Sequence, residues 1–379
     1  MPNRHDLSVT NGTVPPPDGP PTKRPARRGY LWAAVGLVVL SVAAIWIAAQ
    51  ADPSKTISAV DVKSLPVGQP APELHAKGWL NSPPLTAKDL AGKVVIYDFW
   101  TYSCVNCVRT LPYVRAWYDR YQKDGLVVVG VHSPEFDFEK DHGNVEAAVA
   151  RLKVTWPVAL DDGMVIWNDF NNRYWPAKWI TDRQGRVRYF HPGEGNYDET
   201  ERVIRALLGV SPSSLLADDP KQPKEAPAAV SQTITQETYL GTERGSVARP
   251  GQAAYTPAAL QLHQPALAGT WEADAQMVRS VSPGASLSLQ YLAREANLVM
   301  ASGLPGGGPV DVTIELDGKP VPQSHRTAAT LVDADGTTYL HVQASDLYRL
   351  VLGPRVEQHT VRLIPRTPGL EAFAYTFGA

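Results

Sequence analysis

The chain has 379 residues, 44% of them hydrophobic and 20% charged, with a formal net charge of −2. This is ordinary globular composition over a length that suits two domains, and the near-neutral balance provides no basic field for nucleic acid. Only two cysteines occur, three apart at Cys104 and Cys107, which excludes a disulfide scaffold or a zinc ribbon.

Residues 1–29 are polar and Pro-rich and end in the basic cluster Lys23, Arg24, Arg27 and Arg28. Residues 30–49 follow without a charge, with Trp32 and Trp46 near the ends. At ~1.5 Å per residue such a helix is ~30 Å long, one hydrocarbon thickness, so a transmembrane anchor is expected. Basic residues ahead of the span orient the N-terminus toward the cytoplasm. Everything after Ala49 is then expected outside the cytoplasmic (inner) membrane, in the periplasm or beyond. Ala49-Gln50-Ala51 also fits a signal-peptide cleavage pattern, and Arg27-Arg28-Gly29-Tyr30-Leu31 a twin-arginine signal. Both would export the same domain, but the length of the run and its flanking tryptophans favour a retained anchor. Residues 50–65 read as a tether.

From 66 to 210, strand-like and helix-like patterns alternate, predicting an α/β domain. Val94 to Trp100 is an apolar strand interrupted only by Asp98. The segment from Cys107 carries Val108, Leu111, Val114, Tyr118 and Tyr121 at helical spacing. Leu126 to Val131 is a second buried strand, and Val145, Ala148, Val149 and Leu152 mark another helix. Asp182-Arg183-Gln184-Gly185 separates two strand runs as a hairpin turn. A last helix carries Val203, Ile204, Leu207 and Leu208, with Asp198 as its expected cap.

Residues 211–231 shift to Pro, Ala, Ser, Asp and Lys without periodicity, which reads as a linker. Residues 232–379 are expected to form an all-β sandwich of jelly-roll type. Val310, Val312, Ile314 and Leu316 alternate with polar residues, as do Leu287, Leu289 and Tyr291, then Phe373, Tyr375 and Phe377.

The chemistry concentrates at Cys104-Val105-Asn106-Cys107. The pair ends a buried strand and opens a helix, where free N–H groups and the positive dipole end favour a thiolate. One helical turn brings the second sulfur within reach of the first. Cys104 is therefore the expected attacking thiolate and Cys107 the resolving thiol. The nine histidines show no spaced metal pair; His132 and His191, at strand ends, read as solvated or capping. No cofactor and no metal is expected.

The run Asp98-Phe99-Trp100-Thr101-Tyr102-Ser103-Cys104-Val105-Asn106-Cys107 closely resembles the active-site strand and helix of the thioredoxin-like superfamily. Pro112 resembles the proline that kinks that helix, and Trp175-Pro176 occupies the place of the family's cis-proline. More narrowly, residues 66–379 look like the extracytoplasmic part of DipZ-type proteins, a thioredoxin-like domain followed by a carbohydrate-binding-like sandwich. Asn171 to Ala177 and Tyr239 to Gly245 carry that narrower resemblance. It implies a thiol–disulfide oxidoreductase acting on protein thiols or disulfides, leaning toward reduction. Asp98 would exchange a proton with Cys107. Pro176, in cis, would expose Trp175 to a substrate strand; Trp100 would pack beneath the disulfide and, with Trp175, is expected to contact substrate. DipZ-type proteins also carry an electron-conducting membrane domain. With one span here, the resemblance implies a separate membrane electron-transfer partner of the CcdA/DsbD-like kind.

Thr110 stands where the TlpA- and ResA-like reductases often have a glutamate, which argues against carrying over a cytochrome-maturation role. Two other readings are open. Thr101-Tyr102-Ser103-Cys104 matches the Thr-x-x-Cys of peroxiredoxins, with Cys104 as peroxidatic thiol, although Tyr97 replaces their proline. Alternatively the sandwich binds a glycan of the cell envelope, with Trp271, Tyr339 and Tyr348 as candidates for a sugar face.

Overall fold

A computed structural model of the chain describes residues 60–210, 234–257 and 259–379. The expected tail (1–29), span (30–49) and linker (211–231) lie outside the described residues. Among the described residues no helix is long and apolar enough to cross a membrane.

The N-terminal sheet contains β1 (Gly78–Leu80), β2 (Val94–Trp100), β3 (Leu126–His132), β4 (Val158–Leu160), β5 (Ala177–Thr181) and β6 (Val187–Pro192). Its order is β1-β4-β3-β2-β5-β6. Strands β2, β3 and β4 are parallel neighbours, and the β5–β6 hairpin adds to β2 antiparallel. The helices are α1 (Ala87–Leu90), α2 (Val105–Tyr121), α3 (His142–Arg151), α4 (Val165–Asp169) and α5 (Tyr197–Leu208). β2 is buried at all seven positions because two apolar clusters, one on each face of the sheet, enclose it. A strand covered on both faces reads as a continuous apolar run rather than an alternating one. This is the α/β order expected from the sequence, with two local differences. Asn196, at φ 49°, caps α5, and Asp198 falls inside its first turn. The domain also starts earlier than residue 66, since Val60, Val62 and Leu65 pack on its core. The Arg188 guanidinium holds that segment by donating to the carbonyls of Val62 (2.7 Å), Leu65 (3.3 Å) and Pro66 (2.7 Å).

One glycine is required by its surroundings. A Cβ at Gly130, on β3, would lie 3.0 Å from the Trp100 Nε1 and 3.1 Å from the Trp156 Nε1. Two fully buried indoles therefore reach the strand only because that side chain is missing.

The C-terminal region is built from strands, with a short 3-10 turn at Gln323–His325: β7 (Thr238–Tyr239), β8 (Gly251–Tyr255), β9 (Pro265–Ala273), β10 (Val278–Ser280), β11 (Ser286–Ser302), β12 (Val310–Leu316), β13 (Lys319–Pro320), β14 (Leu331–Val332), β15 (Thr338–Val342), β16 (Asp346–Pro365) and β17 (Leu370–Gly378). Instead of two separate sheets, these eleven strands form one hydrogen-bonded system. The reason is length. The 17-residue β11 pairs with β9 along its first part and with β17 along its second, and the 20-residue β16 accompanies it throughout. The alternating residues of β12 and of Leu287, Leu289 and Tyr291 fill one core with Trp271. Trp271 is fully buried and its indole N–H donates to the Ala268 carbonyl at 2.9 Å, so it is removed from any sugar face.

β17 departs from simple alternation. Its pairing with β11 slips between Leu298↔Tyr375 and Met300↔Ala372, so Phe373 and Ala374 together oppose Val299. Such a bulge re-aims a side chain. Phe373 leaves the C-terminal core and packs against Phe136 (ring centroids 5.2 Å) and Phe138 (4.9 Å), on the loop after β3. Phe373→Ala should therefore loosen the contact between the domains and cost about 3 kcal/mol. Urea unfolding with separate reporters should show the two domains melting further apart than in wild type; one unchanged transition would contradict this role.

Candidate active site

Helix α2 starts directly after the turn that follows β2, and Cys104 is its N-cap residue with extended backbone angles. The Cys107 N–H donates to Cys104 Sγ at 3.3 Å, so this sulfur occupies the place a serine or aspartate oxygen takes in an ordinary cap. Both thiols are free; Cys104 is partly exposed and Cys107 is fully buried. Burial, together with the hydrogen bond and charge of Cys104, pushes the Cys107 thiol well up. Solvent thus meets one sulfur, while the other waits beneath it. Thr110, one turn on, donates its hydroxyl to the Cys107 carbonyl at 2.9 Å. Pro112 lies inside α2 and cannot donate to the helical carbonyl four residues back.

Asp98 is fully buried on β2, and desolvation raises its pKa above the ordinary carboxylate range. Its neighbour on β5 is Lys178, directly across the ladder and only 1% exposed. Lys178 Nζ lies 3.5 Å from Asp98 Oδ1 and opposes the upward shift. Neither group has a hydrogen-bond partner among the described residues. Asp98 in turn contributes to the upward shift of Cys107. The two are therefore electrostatically linked, as a proton exchange between them requires.

Trp100 is fully buried in the cluster that holds Cys107 and against which Cys104 and Trp175 pack. It offers no surface to a substrate, so its assignment to substrate contact is corrected to a support beneath the cysteines. Trp175 is partly exposed, its indole N–H donates to the Ser133 carbonyl at 2.9 Å, and its ring lies 4.1 Å from that of Trp167. The Trp175–Pro176 bond is cis, and Pro176 is buried.

Several neighbours were not assigned to the site by sequence. His132 is neither solvated nor a cap. It is fully buried, stacked on Tyr102 at 5.7 Å and edge-on to Trp100 at 5.4 Å. Desolvation drives its pKa down to about 3, so it is a neutral packing ring. His191 contacts the Glu194 carbonyl at 3.1 Å. Glu139 is fully buried and accepts from Ser103 Oγ (2.6 Å) and from the Glu135 and Phe136 N–H groups (2.6 and 3.0 Å). Arg109, on α2, spans Asn106 Oδ1 (3.3 Å), Glu194 (3.4 Å) and, from the C-terminal domain, Glu295 (3.0 Å). Lys178 alone left a sequence signal, a charge within the apolar run Ala177 to Ile180.

The Asp98–Lys178 pair has a pH signature. A carboxyl raised in the folded state contributes stability below its unfolded pKa of 3.8 and loses it as pH rises toward the folded value. Lys178→Met removes the one opposing charge, so Asp98 moves further up and that loss grows. Between pH 3 and pH 7 the variant should lose more unfolding free energy than wild type. Adding Asp98→Asn should cancel the difference; parallel pH profiles for wild type and Lys178→Met would refute the pairing.

Residues 67–190 match the family model described as the AhpC/TSA family, and residues 235–378 one described as a thioredoxin like C-terminal domain. The chain is 36% identical over 320 residues to Protein DipZ of Mycobacterium bovis, covering 81% of this chain and 43% of that protein. It therefore spans less than half the length of these curated relatives. It is 34% identical over 142 residues to the thiol-disulfide oxidoreductase YkuV of Bacillus subtilis, covering 37% of this chain and 95% of that protein. A solved structure described as a thioredoxin-like protein in the oxidized form is 34% identical, with 38% of this chain and 98% of that chain covered and a TM-score of 0.35. The cysteine pair lies inside residues 67–190, the segment matched by the AhpC/TSA model, and the chain belongs to the family of thioredoxin-like thiol–disulfide oxidoreductases.

Proposed function

We propose that the protein reduces disulfides of protein substrates outside the cytoplasmic membrane, held there by residues 30–49. The observation that carries the mechanism is the contrast between the two sulfurs, one partly exposed and capping α2, the other buried one turn behind it. Cys104 attacks one sulfur of the substrate disulfide, forming a mixed disulfide and releasing the other substrate sulfur as thiolate. Asp98 takes the proton of Cys107, which then attacks Cys104 Sγ. The second substrate thiolate leaves and the protein is left as the Cys104–Cys107 disulfide. Two electrons from a membrane partner of the CcdA/DsbD-like kind restore the dithiol. Trp175 and Pro176 border the approach to Cys104 and hold the substrate strand. Export is supported by the uncharged run of 20 residues after a basic cluster.

The match of residues 67–190 to the AhpC/TSA family favours a second reading, peroxide reduction at Cys104. The two readings separate on Cys107. For disulfide exchange, Cys104→Ser abolishes turnover of insulin disulfides, and Cys107→Ser stops after one equivalent as a trapped mixed disulfide. Asp98→Asn slows release of that intermediate about 100-fold and removes the rise in its rate through the raised Asp98 pKa. Peroxide consumption by Cys107→Ser at the wild-type rate would overturn the exchange mechanism and establish the peroxidase.

A further inference from the structure

We propose that His325, Glu357 and His359 form a binding site for a divalent first-row transition ion in the C-terminal domain. Their nearest ligand atoms all lie within 4.8 Å of one another. Nε2 of His325 and Nε2 of His359 are both buried and lack a hydrogen-bond partner among the described residues. The outer ring nitrogens, by contrast, are engaged. His359 Nδ1 lies 2.8 Å from Asp317 Oδ2, and His325 Nδ1 lies 2.9 Å from Ser324 Oγ. A carboxylate on Nδ1 fixes the tautomer that leaves a lone pair on Nε2, the support that metal-binding histidines ordinarily have. Asp317 also accepts the Thr360 N–H at 2.8 Å, so the support is itself anchored.

Glu357 and His359 are two apart on β16 and share a face of the strand. Glu357 Oε2 stands 3.9 Å from His359 Nε2. Its other oxygen takes both contacts of Arg355, at 2.8 and 2.6 Å, and that guanidinium is 78% exposed, lying on the solvent side. Directly across the ladder from His359 is Tyr291, fully buried, its ring 6.2 Å from the imidazole and its hydroxyl without a partner among the described residues. A water on the fourth position of a bound ion would satisfy that hydroxyl. Two imidazoles and one carboxylate suit zinc, whose tetrahedral donors stand about 3.3 Å apart, so modest side-chain rotation must close the set around the ion. The site also has a place in the fold. Residues 353–356 have no ladder partner on β11, because the pairing jumps from Ala293↔Glu357 to Glu295↔Leu352, and only the Arg294 side chain reaches across, donating to the Gly353 carbonyl at 3.2 Å. The ion would fasten β16 at this break. Sequence spacing could not show the set, since His325 comes from a short turn 32 residues ahead of Glu357.

The test uses the full chain with the Cys104–Cys107 disulfide closed, which removes the thiolates as competing ligands. Titration with zinc chloride in a calorimeter should show one ion per chain. His325→Gln and His359→Gln should each weaken it at least about tenfold, and cobalt(II) on the wild type should give the intense visible bands of a tetrahedral nitrogen–oxygen site. Absence of zinc binding by the oxidised chain, or undiminished affinity in folded forms of both variants, would overturn the assignment. If both variants fail to fold, the cobalt spectrum decides, and bands of an octahedral ion count against the site.

Discussion

A carboxylate taken out of water must be met by donors, and the donors that meet Glu139 tie the active site to the rest of the molecule. Burial raises the pKa of this carboxyl, while the hydroxyls of Ser103 and Thr101 oppose the shift. Ser103 is the residue before Cys104, so one end of this bond holds the turn that delivers the attacking sulfur. The other end holds the Glu135 and Phe136 N–H groups, and their loop forms much of the contact with the C-terminal domain. Glu135 accepts from the Tyr239 hydroxyl (2.8 Å) and from Arg244 (2.7 Å), while Phe136 and Phe138 receive Phe373. Removing the Glu139 carboxylate would therefore free the cysteine turn and the interdomain loop together.

A second link runs through charge. Glu295, from the C-terminal domain, pairs with Arg109 on the active-site helix, and Arg109 pairs with Glu194. Glu194 feels Lys178, and Lys178 faces Asp98 beside Cys107. Alternating signs thus extend from the β domain to the resolving thiol. In the low dielectric around Asp98 such charges are less screened than at the surface. The β domain is therefore placed to influence the redox site without contributing a reacting atom.

The redox site was legible in sequence to the extent that it is local. Cys104, Cys107, the strand ending at Trp100 and the helix containing Pro112 lie in one continuous stretch whose patterning declares strand, turn and helix. Asp98 was legible as a charge inside an apolar strand, where it carries a desolvation cost, and the resemblance to thioredoxins supplied its role. Lys178 left the same kind of signal, but its pairing with Asp98 depends on a strand register, and Glu139, on a loop without periodicity, left none. His132 was misjudged because a strand end usually meets solvent, whereas here Tyr102 and Trp100 close over it. The C-terminal alternation announced strands, but the length of β11 and β16, which joins them into one sheet, depends on pairing between distant residues. Tyr239 to Gly245 resembled DipZ-type proteins as a phrase. In the fold it is part of the latch on Glu135, a role invisible until both domains are placed.

The equilibrium between the Cys104–Cys107 couple and a glutathione redox buffer, read from the mass of the alkylated chain, tests the account most directly. A reductase supplied with electrons from the membrane should hold its disulfide at a potential below about −200 mV, on the thioredoxin side of the known range. A value near about −120 mV, where the strong oxidant DsbA lies, would make the protein a donor of disulfides and contradict the account.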